Sequence, residues 1–185
     1  MSLHFRRRLI KASLPACVAA LSVSLVWRAH GAPPSLEYEV KAAFLLNFTK
    51  FIEWPASTFA DGGSPFTICI LGKDPFGKLL DSVVEGEMVD GHKLAVRKIS
   101  EPPVAHSCQI VFVEGSEKEL RRRLGNAGPG VLTVGEGENF IREGGMIGFV
   151  IDQNRVRFDI NRAAAESAGL KLSSKLLSVA RVVDN

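Results

Sequence analysis

The stretch Gly144–Ser174 has the sequence GGMIGFVIDQNRVRFDINRAAAESAGLKLSS, and its hydrophobic pattern decides the fold class. Residues 146–151 are continuously apolar and follow a glycine pair, which is typical of a strand buried on both faces. Residues 152–154, Asp-Gln-Asn, favour a turn. Residues 155–160 then alternate polar and apolar side chains, as a half-buried strand does. The stretch therefore predicts a β-hairpin with one core strand and one edge-like strand.

A helix is predicted to follow this hairpin directly. Asn161 is a residue type that favours helix N-caps, and the sequence after it, RAAAESA, is rich in helix-forming residues. Gly169 suits the C-terminal cap of such a helix. The whole stretch thus combines two strands, a turn and a helix.

Helix and strand patterns also alternate along the rest of the chain. Residues 36–52 place apolar side chains at spacings of three and four, which predicts an amphipathic helix ended by Pro55. Its predicted inward residues are Leu36, Val40, Ala43, Phe44, Phe48, Phe51 and Ile52. Further helices are predicted from Asp74, from Ser116 and over residues 173–183, and further strands over residues 66–71, 93–99, 110–113 and 131–134. This alternation predicts a single compact α/β domain with a central mixed sheet flanked by helices, Rossmann-like in a loose sense.

The first 31 residues have the pattern of a secretory signal peptide. Residues 6–8 are arginines, an apolar run spans residues 14–27, and small residues follow near Gly31. The run of about 14 residues is short for a membrane-spanning helix, which needs roughly 20, and an uncleaved anchor is the alternative. We therefore predict cleavage near Gly31, a mature domain over residues 32–185 and a periplasmic location. The leader does not decide between the Sec and twin-arginine export routes.

Charge gives no reason to expect a nucleic-acid partner or an anionic membrane surface. The full chain has 23 basic and 20 acidic side chains, a formal net charge of +3. The predicted leader holds five of the basic side chains and none of the acidic ones, so 18 basic and 20 acidic side chains remain after cleavage. This slightly acidic mature chain lacks the basic excess that is typical of nucleic-acid-binding domains.

The mature chain would keep two of the three cysteines, Cys69 and Cys108. In an oxidising compartment this pair is what one disulfide needs, and both residues lie in or beside apolar strand-like runs. Two buried free thiols are the alternative. A metal site is not expected, because the mature chain has only His92 and His106 as histidines and no close Cys/His cluster.

Recognisable catalytic and cofactor-binding motifs are absent from the sequence. No GxxxxGK[ST] phosphate loop and no GxSxG nucleophile elbow occurs. Gly135-Glu136-Gly137 resembles part of a dinucleotide-binding fingerprint, but the third glycine is missing and acidic residues stand where a pyrophosphate would bind. We therefore predict a non-enzymatic protein with no catalytic residue, no metal and no cofactor.

Aromatic and basic side chains supply the candidate binding residues. Phe44, Phe48 and Trp54 belong to one aromatic-rich segment, and Arg155 and Arg157 share the polar face of the edge-like strand. Aromatic residues and arginine dominate the hot spots of protein interfaces. The alternative interpretation is a core role for the phenylalanines and a solvated face for the arginines.

Several segments, in this order, resemble the YfiR family of small periplasmic proteins. They are EYEVKAAFLLNFTKFIEWP, LGKDPFGKLLDSVVEGEMVDGHKLAVRKI, CQIVFVEGSE, LTVGEGENF and the long segment from Gly144 to Val183. The resemblance implies a negative regulator of cyclic di-GMP signalling and biofilm formation that binds the periplasmic region of an inner-membrane diguanylate cyclase and inhibits it. It also implies sequestration by an OmpA-like outer-membrane lipoprotein and a tendency to form a homodimer.

The resemblance extends to the cysteines only in part. Cys69 and Cys108 lie where the family has a disulfide, whereas a second bridge of the family would involve the neighbourhood of Met146, which has no cysteine here. A second functional hypothesis is a periplasmic small-molecule sensor, with a ligand pocket at the carboxyl ends of the sheet strands, that acts on a neighbouring sensor kinase or receptor.

Overall fold

A computed structural model of the chain describes residues 35–103, 106–115, 123 and 127–184. The predicted leader lies outside these residues, and so does nearly all of the helix predicted from Ser116. The signal peptide and its cleavage site therefore stay predictions.

Ten strands and five α-helices have their bounds within the described residues. The strands are β1 (Ile52–Glu53), β2 (Phe66–Leu71), β3 (Met88–Val89), β4 (His92–Ile99), β5 (Ile110–Val113), β6 (Leu132–Glu136), β7 (Ile147–Asp152), β8 (Arg155–Asn161), β9 (Lys171–Leu172) and β10 (Val182–Asp184). The helices are α1 (Leu36–Phe51), α2 (Leu79–Val84), α3 (Asn139–Arg142), α4 (Arg162–Ser167) and α5 (Ser174–Val179), with a 3-10 turn at Ala56–Thr58.

Eight of these strands form one mixed sheet in the order β10-β8-β7-β6-β5-β2-β4-β3. The five central strands, β7, β6, β5, β2 and β4, run parallel to one another. Strand β8 is antiparallel to β7, and β3 is antiparallel to β4. Strands β1 and β9 form a separate antiparallel pair. The predicted fold class, a single compact α/β domain with a central mixed sheet flanked by helices, is confirmed.

The hairpin that the sequence predicts is strands β7 and β8. Gln153 and Asn154 both have positive φ, 48° and 59°, which is the geometry of the two-residue turn that matches the twist of a hairpin. Among the strands that the structure describes, however, β10 pairs with residues 159–161 on the outer side of β8, so only the first half of β8 is an edge. The edge-like prediction therefore holds for residues 155–158 and is wrong for the rest of β8.

The helix after the hairpin begins and ends as predicted. The Asn161 side chain accepts a hydrogen bond from the backbone N–H of Ala164 at 2.9 Å, and Gly169, with φ +83°, follows the end of α4. The predicted helix over residues 173–183 is wrong in length. It ends at Val179 because Ala180 is extended and residues 182–184 pair with β8.

Helix α1 is confirmed, but its inward face is rotated from the predicted one. Leu36, Val40 and Ala43 are exposed, whereas Lys41 is buried in their place. The buried residues of α1 are Lys41, Ala42, Leu45, Phe48 and Thr49. The helix also ends before Pro55, because residues 52–53 leave it to pair with β9.

Helix α2 begins at Leu79, five residues after Asp74, from which the sequence predicts this helix. Asp74 still acts as a cap, because its Oδ1 accepts hydrogen bonds from the backbone N–H groups of Phe76 and Gly77 at 2.9 and 3.1 Å. Lys98 forms an ion pair with Asp74 at 2.6 Å. These contacts stabilise a turn between β2 and α2.

The core lies on both faces of the sheet. Helices α1 and α2 cover the larger cluster, which contains Phe48, Phe112 and Phe149. A smaller cluster on the other face includes Phe140, whose ring lies between Gly135 and Gly145. A Cβ atom on either glycine would approach this ring to 2.2 Å. The ring therefore requires glycine at both positions.

Cys69 and Cys108 form a disulfide within the smaller cluster. Their Cα atoms are 5.9 Å apart, and 39 residues separate them in sequence. Closing a loop of this length stabilises the folded chain by roughly 4 kcal/mol through the unfolded state.

Candidate partner-binding surface

A groove lies between the amino-terminal part of α1 and the tip of the β7–β8 hairpin. Its volume is about 560 Å³. The lining residues are Leu36, Glu37, Val40, Ile151, Asn154, Arg155 and Val156. The groove lies at the carboxyl ends of the parallel strands, because β7 runs parallel to β6 and ends at Asp152.

Exposed apolar side chains surround this groove. Leu36 is 74% exposed, Ile151 is 54% exposed and Val40 is 36% exposed. The rotated inward face of α1 is the reason that Leu36 and Val40 remain at the surface. A cluster of exposed apolar side chains beside a concave surface is typical of a protein-interaction site.

A buried lysine holds α1 against the end of β6 beneath the groove. The Nζ atom of Lys41 forms ion pairs with Glu136 at 2.9 Å and with Glu37, and it lies 4.5 Å from the centre of the Tyr38 ring. Burial lowers the pKa of Lys41, but the hydrogen bonds that its Nζ donates to Glu37 and Glu136, together with the negative charges of these residues, outweigh burial and raise it. Lys41 is therefore a charged structural anchor.

Tyr38 belongs to the same group of side chains. Its ring packs edge-on against Phe76, with ring centres 5.5 Å apart. Burial raises the pKa of the Tyr38 hydroxyl, and the negative charge of Glu136 raises it further. This group of residues fixes the position of the helix that forms one wall of the groove.

Arg155 and Arg157 lie on the other face of the sheet from α1. Side chains alternate along β8, and Phe158 packs beneath α1 against Phe44, so the odd-numbered residues 155 and 157 point to the opposite face. Asp152 is opposite Arg155 in the hairpin, but neither arginine forms an ion pair within the described residues. Within the described ranges, both guanidinium groups are thus without an ion pair, and Arg155 also lines the groove.

The second half of β8 carries a paired charge on that same face. The buried Asp159 carboxylate accepts hydrogen bonds from Nε and Nη2 of Arg181 at 2.8 and 2.6 Å, and Arg181 Nη1 contacts Glu138 at 2.9 Å. These bonds, led by that to Asp159, raise the pKa of Arg181 further above its usual value. The two-point contact between Arg181 and Asp159 fastens β10 to β8.

The five candidate binding residues do not form one surface. Phe48 is fully buried and packs against Phe149 and Phe158, and Phe44 is half-buried in the same aromatic group. This location matches the core role that the sequence left as an alternative. The two arginines are separated from these rings by the thickness of the sheet.

Trp54 lies at the opposite end of the sheet from the groove, where the parallel strands begin. Its Nε1 donates a hydrogen bond to the backbone oxygen of Gln109 at 3.2 Å, and its ring packs edge-on against Phe66 at the start of β2. Of the five candidates, only Arg155 lines the groove. Sequence reasoning missed Leu36, Val40 and Ile151 as surface residues, since their apolar character predicts burial.

The loop after β2, GKDPFGKL, has the glycine and lysine spacing of a phosphate-binding loop, but Leu79 stands where that motif has serine or threonine. The backbone N–H groups of Phe76 and Gly77 already donate to Asp74. The loop is therefore closed by its own carboxylate. Among the residues with described positions, no group of three or more His, Cys, Asp or Glu side chains is arranged to hold a metal ion.

Within the described ranges, no helix combines the length and apolar character needed to cross a membrane.

Comparison with known proteins identifies the family. No curated protein matches the chain. The family described as DUF4154, YfiR/HmsC-like, matches residues 38–181, which include the disulfide, seven of the eight strands of the central sheet and all the groove-lining residues except Leu36 and Glu37. This match covers most of the 185 residues, and the chain therefore belongs to the YfiR/HmsC-like family.

Proposed function

We propose that this chain is a periplasmic repressor that binds the periplasmic region of an inner-membrane diguanylate cyclase and holds the enzyme inactive. Family membership supports a non-catalytic, periplasmic regulator of diguanylate cyclase signalling at the level of the family. The proposal adds direct binding and inhibition, with control of cyclic di-GMP and biofilm formation as the result.

The observation that carries this proposal is the surface at the hairpin tip. Exposed Leu36, Val40 and Ile151 border a groove that Arg155 also lines, and Arg157 follows on the same hairpin. Neither arginine has an ion pair with another described residue. Apolar contacts flanked by arginine are the usual composition of a protein interface. The surface therefore suits binding to another protein.

Repression would work by differential binding. A repressor that binds the inactive form of the cyclase more tightly than the active form shifts the equilibrium by the ratio of the two affinities. Shifting a cyclase from about 99% active to about 99% inactive requires a difference of about 5.5 kcal/mol.

Three further parts of the proposal rest on the family and on the sequence. The leader at residues 1–31 would direct export and be removed near Gly31. An OmpA-like outer-membrane lipoprotein would sequester the chain and release the cyclase. The chain would form a homodimer through a surface other than the groove.

Charge reversal of Arg157 tests the proposed function. Arg157→Glu should relieve repression, so that cellular cyclic di-GMP rises when this variant replaces the wild-type chain. The melting temperature should stay within about 2 °C, because the side chain has no ion pair with any residue that the structure describes. Unchanged cyclic di-GMP in the variant strain would contradict the role of this arginine.

Arg97→Glu is the matched control. Arg97 is an exposed arginine on β4, also without an ion pair among the described residues, and three strands of the sheet lie between β4 and the hairpin. The control variant should repress as the wild-type chain does. Equal loss of repression in both variants would indicate a general charge effect.

A small-molecule sensor is the second candidate, favoured by the size and place of the groove. The groove volume of about 560 Å³ is in the range of ligand sites, and the groove opens at the carboxyl ends of the parallel strands. A sensor of this kind would act on a neighbouring sensor kinase or receptor. A screen of amino acids, vitamins and nucleotides should then find a compound that raises the melting temperature with concentration, and Val40→Trp should abolish that shift by filling the groove.

A further inference from the structure

The outer edge of β8 is half covered. Strand β10 pairs with residues 159–161, while residues 155–158 have no strand on that side within the described part of the chain. The other side of β8 pairs with β7 along residues 155–160. A row of backbone hydrogen-bonding groups beside the groove is therefore left without a neighbouring strand.

Two backbone hydrogen bonds identify the groups that face outward. The N–H of Asn161 donates to the oxygen of Met146, so the odd-numbered residues of β8 direct their backbone groups to β7. The oxygen of Phe158 accepts from the N–H of Arg181 on the outer side, so the even-numbered residues face outward. The N–H and C=O of Val156 and the N–H of Phe158 are thus the groups available to an added strand.

The side chains at this edge differ between the two faces of the sheet. Val156 lies on the α1 face and lines the groove with Leu36 and Val40. Arg155 and Arg157 lie on the opposite face and have no ion pair among the described residues. A strand added here continues this pattern, because directly opposite residues of paired strands share a face.

Charge disfavours a second copy of this chain as the occupant of this edge. If two β8 edges paired antiparallel with their apolar faces aligned, Arg155 and Arg157 of one copy would lie opposite the same arginines of the other. Like charges directly opposite each other destabilise a strand pair. Acidic side chains at those positions would instead form ion pairs with both arginines.

We propose that the outer edge of residues 155–158 accepts an extended segment of a partner protein in which apolar and acidic residues alternate. The segment adds a strand to the sheet, places its apolar side chains in the groove and pairs its acidic side chains with Arg155 and Arg157. This inference rests on the proposed function and specifies how the partner is held. Backbone hydrogen bonds supply affinity in this mode of binding, and the alternating side chains supply specificity.

Synthetic peptides provide a defined probe. A labelled peptide with alternating glutamate and valine should bind the purified mature protein, as measured by fluorescence anisotropy. A peptide with alternating lysine and valine, and one with three glutamates followed by three valines, should bind at least about tenfold more weakly. Equal binding of the three peptides would overturn the proposal.

Amide hydrogen exchange locates the peptide. The amides of Val156 and Phe158 should exchange more slowly when the glutamate–valine peptide is bound, while the amide of Arg157, which faces β7, should change little. No added protection at residues 156 and 158 would overturn strand addition. This measurement uses the wild-type chain and needs no variant to fold.

A proline at position 156 removes the outward N–H, and Val156→Ile is the matched control because it keeps the N–H and an apolar β-branched side chain. Val156→Pro should weaken peptide binding by at least about tenfold, and Val156→Ile should leave it unchanged. If Val156→Pro binds the peptide and represses the cyclase like the wild type while Arg157→Glu does not repress, strand addition is wrong and the proposed function stands. If Arg157→Glu also represses normally, the role proposed for this arginine in repression fails as well.

Discussion

The two halves of strand β8 have the same alternating pattern but different surroundings. In the second half, β10 covers the backbone and Arg181 pairs with the buried Asp159. In the first half the backbone has no outer strand, and Arg155 and Arg157 have no ion pair among the described residues. The comparison teaches that charge in the second half supports the fold, whereas charge in the first half is available to a partner.

The largest expected effect is in the second half. Arg181→Ala should lower the free energy of unfolding by about 3 kcal/mol, because it leaves the buried Asp159 carboxylate without its charge partner. Urea unfolding measures this change. Faster amide exchange at Ile160, which faces β10, should accompany it.

Arg155→Ala is the control at the other end of the same strand. Arg155 is exposed and unpaired within the described residues, so its removal should change the free energy of unfolding by no more than about 0.5 kcal/mol. Equal destabilisation by Arg181→Ala and Arg155→Ala would contradict the proposed difference between the two halves of β8.

The second prediction concerns the group of residues that supports the groove. Tyr38 is the only tyrosine of the chain, so the ultraviolet absorbance of tyrosinate reports its titration alone. Its midpoint should lie above pH 10.0, and Glu136→Gln should lower it because the variant removes a nearby negative charge. Glu101→Gln, an exposed glutamate without a charge partner among the described residues, should leave the midpoint unchanged.

The same shift links the stability of the protein to pH. The folded protein holds the Tyr38 proton more tightly than the unfolded chain, whose pKa is near 10.0. The stability from this group is therefore fully present below about pH 10.0 and is lost as the pH rises through the higher, folded pKa. Tyr38→Phe should unfold with a weaker dependence on pH in that alkaline range.

The smallest expected effect on stability is at the groove itself. Leu36→Ser should change the free energy of unfolding by no more than about 0.5 kcal/mol, because the side chain is 74% exposed, yet it should weaken repression. Val179→Ser is the matched control, since Val179 is also an exposed apolar residue, 52% exposed, and does not line the groove. Loss of repression in the control alone would place the binding surface elsewhere.

The sequence predicts best where the signals are local. The turn at Gln153 and Asn154, the cap at Asn161 and the short apolar strands all depend on neighbouring residues, and the structure confirms them. The predicted inward face of α1 is wrong because Lys41 is stabilised by Glu136, which is 95 residues away in the chain. No local pattern reports a charge pair across that separation.

Tertiary pairing explains the other differences. Residues 182–184 form a strand because β8 offers them an unpaired edge, and their two β-branched valines suit a strand. Arg155 and Arg157 could be chosen from sequence because alternation places them on a polar face. Leu36, Val40 and Ile151 could not, since a hydropathy pattern does not tell an exposed apolar side chain from a buried one.

The burial of the Cys69–Cys108 bridge has a consequence for chemistry in the envelope. Cys69 is 0% exposed and Cys108 is 1% exposed, whereas a thiolate must reach a sulfur atom directly to open a disulfide. A small reductant therefore has to wait for the protein to open, and the rate of opening sets the lifetime of the bond. The rate at which this disulfide is reduced therefore reports how often the domain opens. A brief change in the concentration of surrounding thiols has little effect on it.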